Sequence, residues 1–203
     1  MALINLKPAH QTALKEFYNI VPEVAAEKAM VEFDSVGLFF KVTYLGKEYK
    51  VYHPEGQVIC EDGGEVQVTD QIVLLHYLSH CSNRALDGSK VAFQELPSGS
   101  IYIGPFTNRS VRPLVSIFGE NPGKLVEAAK LLGGWEEDLG DVAVTVPVLP
   151  KIPITFVLWE GDDEFPPSGN VLFDASASSH LHTEDYALLP GLALWAMKKL
   201  IKM

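Results

Sequence analysis

The chain has 203 residues, of which 47% are hydrophobic and 21% charged, and its formal net charge is −10. This composition excludes an intrinsically disordered chain, a collagen, a coiled coil and a small disulfide scaffold. The negative charge also disfavours binding to nucleic acid, which needs clustered Lys and Arg side chains. The length predicts a single domain over residues 1–203 with a sizeable core.

The cysteines and the apolar segments predict a cytoplasmic protein without a membrane span. Residues 1–10 do not resemble a secretory leader, and Cys60 and Cys81 are far apart, so we expect reduced thiols. The longest apolar region, residues 142–159, contains Lys151 and three prolines. It therefore predicts two strands rather than a membrane helix.

The first part of the chain predicts helices on either side of an antiparallel meander. Apolar spacing predicts two helices within a peripheral N-terminal segment, residues 1–30. Thr69 or Asp70 is expected to cap a later helix that ends near His80. Between them, β-branched and aromatic residues separated by turns predict strands at residues 38–44, 48–52 and 57–60.

The second part of the chain predicts further short elements followed by longer strands. Asn121-Pro122 is typical of a helix start and Gly133-Gly134 of its end. Thr183 is expected to cap a last helix that Pro190-Gly191 either kinks or splits in two. Extended pieces are expected at residues 91–96 and 101–103, partial helix at 106–118, and strands at 142–148, 152–159 and 170–174.

The order of these elements predicts the fold class. Strands and helices come in blocks rather than in strict alternation, which favours an α+β fold over a doubly wound sheet. We therefore expect a mainly antiparallel sheet with helices packed on it.

Two histidine pairs are weak candidates for metal binding. His76 and His80 are four residues apart on a predicted helix and could share a transition metal. The alternative is a helix surface with two partly buried imidazoles. His180 and His182 precede two acidic residues, but those acids are fully explained by the positive end of a helix dipole.

An acidic loop, residues 160–164, lies between Trp159 and Phe165. Its clustered carboxylates could hold a hard cation, or one of them could act as a general base. The alternative is a solvated turn between two strands. The rigid aromatic and proline segment that follows is a more specific signal than a plain charged turn, but the solvated turn is still the favoured interpretation from the residues alone.

Two arginines, Arg109 and Arg112, form a local basic pair in an acidic chain. Together with neighbouring hydroxyl and amide groups they could bind a carboxylate or a phosphate. The alternative is a pair of salt bridges to the surplus acids.

Several segments together resemble an uncharacterised family of anaerobic bacteria and archaea, domain of unknown function 3786. The most specific segment is Leu-Trp-Glu-Gly-Asp-Asp-Glu-Phe-Pro, residues 158–166. Leu-Pro-Ser-Gly-Ser-Ile-Tyr at 96–102, Val-Leu-Phe-Asp at 171–174 and Thr-Glu-Asp at 183–185 add to the resemblance. The resemblance covers most of the chain from about Val31 onward.

The resemblance implies the kind of metabolism in which the chain takes part, but no particular reaction. Some members carry an additional cysteine-rich iron–sulfur domain, whereas this chain resembles the stand-alone form, so we expect no iron–sulfur cluster in it. The resemblance implies anaerobic metabolism and, as possible partners, iron–sulfur or corrinoid proteins. The positions that match the family pattern are Trp159, Asp162, Glu164, Phe165, Asp174 and Glu184.

These observations lead to one main functional hypothesis and two alternatives. The main hypothesis is an accessory module in anaerobic cofactor or redox metabolism that binds a small ligand or a protein. The alternatives are a metal-assisted or acid–base enzyme that uses the acidic loop, and a structural homodimer with Tyr49 or Tyr52 in its contact. The expected ligand site contains Trp159, Asp162, Asp163, Glu164, Phe165, Asp174 and Glu184, with Arg109 and Arg112 nearby.

Overall fold

The computed structural model describes residues 6–201 and confirms an α+β fold with antiparallel sheets. Residues 1–5, part of the segment considered as a leader, lie outside the described residues. The described chain forms two compact units. The first runs to Arg84 and includes Ser179–Leu181; the second contains Ala85–Ser178 and continues from His182. Within residues 6–201, no helix combines the length and the apolar character needed to cross a bilayer.

The first unit contains a four-stranded sheet and three helices. The strands pair in the order β1-β2-β3-β4, each antiparallel to the next, which confirms the predicted meander. The elements are α1 (Lys7–Tyr18), α2 (Pro22–Ala29), β1 (Glu32–Asp34), β2 (Phe39–Tyr44), β3 (Lys47–Tyr52), β4 (Val58–Cys60) and α3 (Val68–His80).

Aromatic residues join the sheet of the first unit to its helices. The rings of Phe17 on α1 and Phe40 on β2 are both fully buried and meet edge to face, with centroids 5.8 Å apart. Contrary to the prediction from the sequence, neither Thr69 nor Asp70 caps α3. The Asp70 side chain has a different role. It accepts a hydrogen bond of 2.9 Å from the Tyr44 hydroxyl, and Gln67 occupies the cap position instead. Tyr49, considered for an exposed contact, is buried beside Tyr44.

The second unit contains a five-stranded antiparallel sheet in the order β5-β9-β8-β7-β6. Its strands are β5 (Lys90–Ala92), β6 (Trp135–Glu137), β7 (Val142–Leu149), β8 (Ile152–Trp159) and β9 (Ser168–Asp174). Its α-helices are α4 (Gly99–Phe106), α5 (Arg112–Phe118), α6 (Pro122–Leu131), α7 (Thr183–Tyr186) and α8 (Leu189–Leu200).

The prediction of an extended piece at residues 101–103 is wrong, because these residues lie in α4. The helix continues through a π-helical turn, Thr107–Val111, into α5. Phe106 fixes the buried end of α4, because its ring stacks on that of Phe93 at a centroid distance of 4.1 Å. This packing outweighs the strand preference of the local apolar run.

The last two helices are separate, as the proline predicted, but Thr183 is not a cap. His182 occupies the cap position of α7, and the Thr183 hydroxyl donates a hydrogen bond to the carbonyl of Pro97 at 2.6 Å. Pro190 lies in the first turn of α8, where its missing N–H costs no helical hydrogen bond.

The two faces of the five-stranded sheet differ in polarity. One face carries buried apolar residues such as Phe156 and Phe173, and the Phe173 ring contacts Phe106 of α4 and Tyr186 of α7. The strand register places polar residues from all five strands on the opposite face. That second face contains the candidate site.

Candidate functional site

The register of the five-stranded sheet aligns polar side chains across its second face. Thr155 on β8 is directly opposite Thr145 on β7, which is in turn opposite Trp135 on β6. At the other side, Lys90 on β5 is opposite Asp174 on β9. Because directly paired residues point to the same face, these side chains share one surface.

An ion pair shows that this surface is concave. Lys90 Nζ lies 3.0 Å from Glu137 Oε2, although β5 and β6 are the two edge strands of the sheet. In a flat sheet these strands would lie about 19 Å apart, four spacings of about 4.8 Å. The sheet must therefore curl until its edges approach each other over the second face.

A chain of hydrogen bonds extends from the ion pair into the sheet. Glu137 Oε1 accepts hydrogen bonds from Trp135 Nε1 at 3.1 Å and from the Thr145 hydroxyl at 2.7 Å. The Thr145 and Thr155 hydroxyl oxygens are 2.7 Å apart. Since the single Thr145 proton goes to the carboxylate, Thr155 must donate to Thr145. No other donor from residues 6–201 reaches the Thr155 oxygen, so its lone pairs are left to accept one.

The charge on Glu137 is stabilised by this arrangement. Burial alone would raise the pKa of Glu137, but hydrogen bonds from Thr145 and Lys90, the positive charge of Lys90 and the Trp135 N–H together lower it. Glu137 is therefore an ionised acceptor, which fixes the direction of the hydroxyl chain.

Asp174 organises the loop that borders this surface. Its carboxylate accepts hydrogen bonds from the backbone N–H groups of Asp87 (2.9 Å), Gly88 (2.8 Å) and Ser176 (2.9 Å), and from the Ser176 hydroxyl (2.6 Å). Burial would raise the pKa of Asp174, but these bonds outweigh it and lower the pKa. With four donors already bound, Asp174 positions the loop rather than offering a free carboxylate.

The concave face lines a half-open pocket of about 190 Å³. It combines polar groups with apolar walls, an arrangement typical of small-molecule sites. Its lining residues are Leu86, Gly88, Lys90, Trp135, Glu137, Thr145, Pro153, Thr155 and Asp174.

The predicted acidic loop borders a different cleft. Asp162 Oδ1 accepts hydrogen bonds from the N–H groups of Glu164 (2.8 Å) and Phe165 (2.7 Å). These two bonds lower the pKa of Asp162 and close a tight local turn. Asp163 and Glu164 are exposed, and Phe165 is 65% exposed. Residues 119–122 complete this polar cleft of about 480 Å³.

The other predicted ligand-binding residues are not among those that line this cleft. Trp159 ends β8 and is 42% exposed. Glu184 accepts a hydrogen bond of 2.8 Å from the Tyr102 hydroxyl, which raises the pKa of Tyr102. Arg109 and Arg112 are exposed and form no ion pair with any residue in the range 6–201. Asp174 lines the concave pocket, and neither arginine lines either cavity.

The histidine pairs have different surroundings. The rings of His76 and His80 are neighbours on α3, with centroids 5.6 Å apart. His180 is fully buried, and its Nδ1 lies 3.5 Å from the sulfur of Cys81, whereas His182 is exposed.

Sequence reasoning missed most of the concave pocket. Lys90, Trp135 and Glu137 lie on three-residue strands that carry little periodic signal. The hydroxyl residues Thr145 and Thr155 interrupt two otherwise apolar strands. This interruption is a sequence signal for a polar patch on one face of the sheet.

The model of a family described as "Domain of unknown function (DUF3786)" matches residues 21–194. No curated protein and no solved structure matches the chain.

Proposed function

The chain belongs to the DUF3786 family, and we propose that it is a binding module for a small polar molecule. The proposed site is the concave pocket of the five-stranded sheet. This keeps the ligand-binding function expected from the sequence and places it around Thr155 instead of the acidic loop.

The observation that carries the proposal is the directed hydroxyl chain. Thr155 donates to Thr145 and Thr145 to the ionised Glu137, so the Thr155 oxygen is a buried acceptor on the pocket wall. A buried acceptor gains free energy when a ligand donor reaches it.

The pocket also limits the class of ligand. A volume of about 190 Å³ lies below the range of roughly 300–1,000 Å³ found for pockets that take drug-sized ligands, so the ligand must be small. The positive charge of Lys90 is already balanced by Glu137 at 3.0 Å, so the site does not call for a strongly charged ligand. A small uncharged molecule with one hydroxyl or amino donor and an apolar side fits these walls.

We place this module in the cytoplasm, as an accessory protein of anaerobic cofactor or redox metabolism. Its proposed partners are iron–sulfur or corrinoid proteins. The support for this setting is the resemblance to the family.

A fragment screen followed by a single isosteric change would test the proposal. Small hydroxyl and amino compounds would be screened against the whole chain by ligand-observed NMR. Thr155→Val keeps the shape of the side chain but removes its acceptor, so we expect the affinity of a bound fragment to fall about tenfold.

Two matched variants serve as controls. Thr43→Val makes the same change at an exposed position of β2, and Asp163→Asn changes the acidic loop. Both are expected to leave fragment binding unchanged. Binding that survives Thr155→Val but is lost in Asp163→Asn would move the site to the acidic loop and contradict the proposal.

A further inference from the structure

A second cluster of chemically active side chains lies in the first unit. His76 and His80 occupy successive turns of α3, and Glu16 of α1 meets them from the neighbouring helix. The three residues each offer one ligand atom, and these atoms all lie within 4.8 Å of one another.

The spacing of the three groups suits a bound transition metal. His80 Nε2 and Glu16 Oε2 are 3.1 Å apart. Two ligands of a tetrahedral zinc ion, each about 2.1 Å from the metal, would be about 3.4 Å apart. This pair is already near the tetrahedral spacing, and the third ligand atom, within 4.8 Å of both, would reach the ion by side-chain rotation.

The core of the first unit holds the two helices in this arrangement. Phe17 follows Glu16 directly and is fully buried against Phe40, and Ala13 on the same helix is also fully buried. On α3, Leu75 and Tyr77 flank His76 and have no exposed surface. The backbones that carry the three ligands are therefore positioned by packing that does not depend on a metal.

Solvent can reach the cluster. The side chain of Glu16 is 41% exposed and that of His80 is 26% exposed. An ion could thus enter without unfolding the unit.

We propose that Glu16, His76 and His80 bind one divalent first-row transition cation, with Zn²⁺ as the expected ion. Two imidazoles favour such a cation over Mg²⁺ or Ca²⁺, which prefer oxygen ligands. Three protein ligands leave a coordination position open for water or a further ligand, as in zinc sites of the His₂Glu type. This site is separate from the proposed small-molecule pocket and does not depend on it.

Titration of the chelator-treated full chain with Co²⁺ and Zn²⁺ would test the site. We expect one equivalent of Co²⁺ to bind with visible absorption bands of low coordination number, and Zn²⁺ to displace it. His76→Gln, His80→Gln and Glu16→Gln should each weaken binding at least about tenfold.

Two control variants match these changes in residue type. His10→Gln on α1 and Glu23→Gln on α2 alter residues outside the cluster and should leave the affinity unchanged. Circular dichroism would establish that each variant is folded.

X-ray absorption of the zinc-loaded wild-type chain identifies the ligands of the ion without any substitution. Misfolding of a variant therefore cannot affect this result. Two imidazoles in the coordination sphere support the assignment. A sphere without imidazole, a failure to take up one equivalent, or equal affinity for Mg²⁺ would overturn it. Loss of binding in the histidine variants but not in Glu16→Gln would overturn the three-ligand site.

Discussion

The ammonium group of Lys90 lies 3.0 Å from the carboxylate of Glu137, although the two residues come from opposite edges of one sheet. Their side chains are 28% and 21% exposed, so water screens the pair only in part. The contact joins the two edge strands, β5 and β6, and so stabilises the curled form of the sheet.

Replacement of the two residues should reveal their coupling. We expect Lys90→Met and Glu137→Gln each to lower the free energy of unfolding by about 1 kcal/mol. The double variant should lose less than the sum, because the pair can be broken only once. Urea unfolding of the four proteins measures the coupling, and simple additivity would contradict it.

The lowered pKa values of Glu137 and Asp174 predict an acid-labile second unit. A carboxyl group whose pKa is lower in the folded chain stabilises the fold above its unfolded value, about 4.3 for Glu and 3.9 for Asp. That contribution is lost as the pH falls through the lower folded pKa. Unfolding free energies measured between about pH 6 and pH 3 should therefore decline. Glu137→Gln and Asp174→Asn should each flatten this decline, and a slope unchanged in both variants would argue against the assignment.

Gly191 in α8 is predicted to tolerate no side chain. A Cβ atom there would lie 2.5 Å from the backbone carbonyl oxygen of Arg109. We expect Gly191→Ala to lower the free energy of unfolding by about 2 kcal/mol, despite the higher helix propensity of Ala.

Gly123 in the first turn of α6 is the matched control for this prediction. A Cβ atom there would meet Asn121 at an ordinary contact distance of 3.7 Å. Gly123→Ala should be neutral or stabilise by up to about 1 kcal/mol. Thermal unfolding of both variants provides the comparison, and equal effects would show that the close approach to Arg109 is not decisive.

The acidic loop should depend on Asp162 but not on Asp163. Asp162 accepts two backbone hydrogen bonds, so Asp162→Ala should speed amide hydrogen exchange at Glu164 and Phe165. Asp163→Ala removes an exposed carboxylate and should leave those rates unchanged. Exchange followed by NMR at neutral pH tests this, and similar effects of both variants would contradict a structural role specific to Asp162.

Sequence patterns predicted the longer elements because their side chains alternate or repeat clearly. β7 and β8 are rich in β-branched residues and were expected almost at their observed bounds. The apolar residues around Ile101 predicted an extended segment, whereas the structure has the helix α4 there. Their strand-like composition is overridden by the packing of Phe106 on Phe93, which no local pattern contains.

The candidate sites were harder to predict because they depend on long-range geometry. Nothing near Lys90 indicates that the sheet curls enough to bring Glu137 to it. In the same way, the spacing of His76 and His80 suggested a pair of ligands, but Glu16 lies 64 residues before His80 and meets it only through the packing of α1 on α3.

The curl of the five-stranded sheet has a further consequence for self-association. Its outer strands, β5 and β6, are only three residues long, and each carries one member of the Lys90–Glu137 pair. Short edge strands with charged side chains are poor templates for the addition of strands from another molecule. The sheet that forms the pocket is thus also protected against edge-to-edge aggregation, even though its central strands are long and apolar.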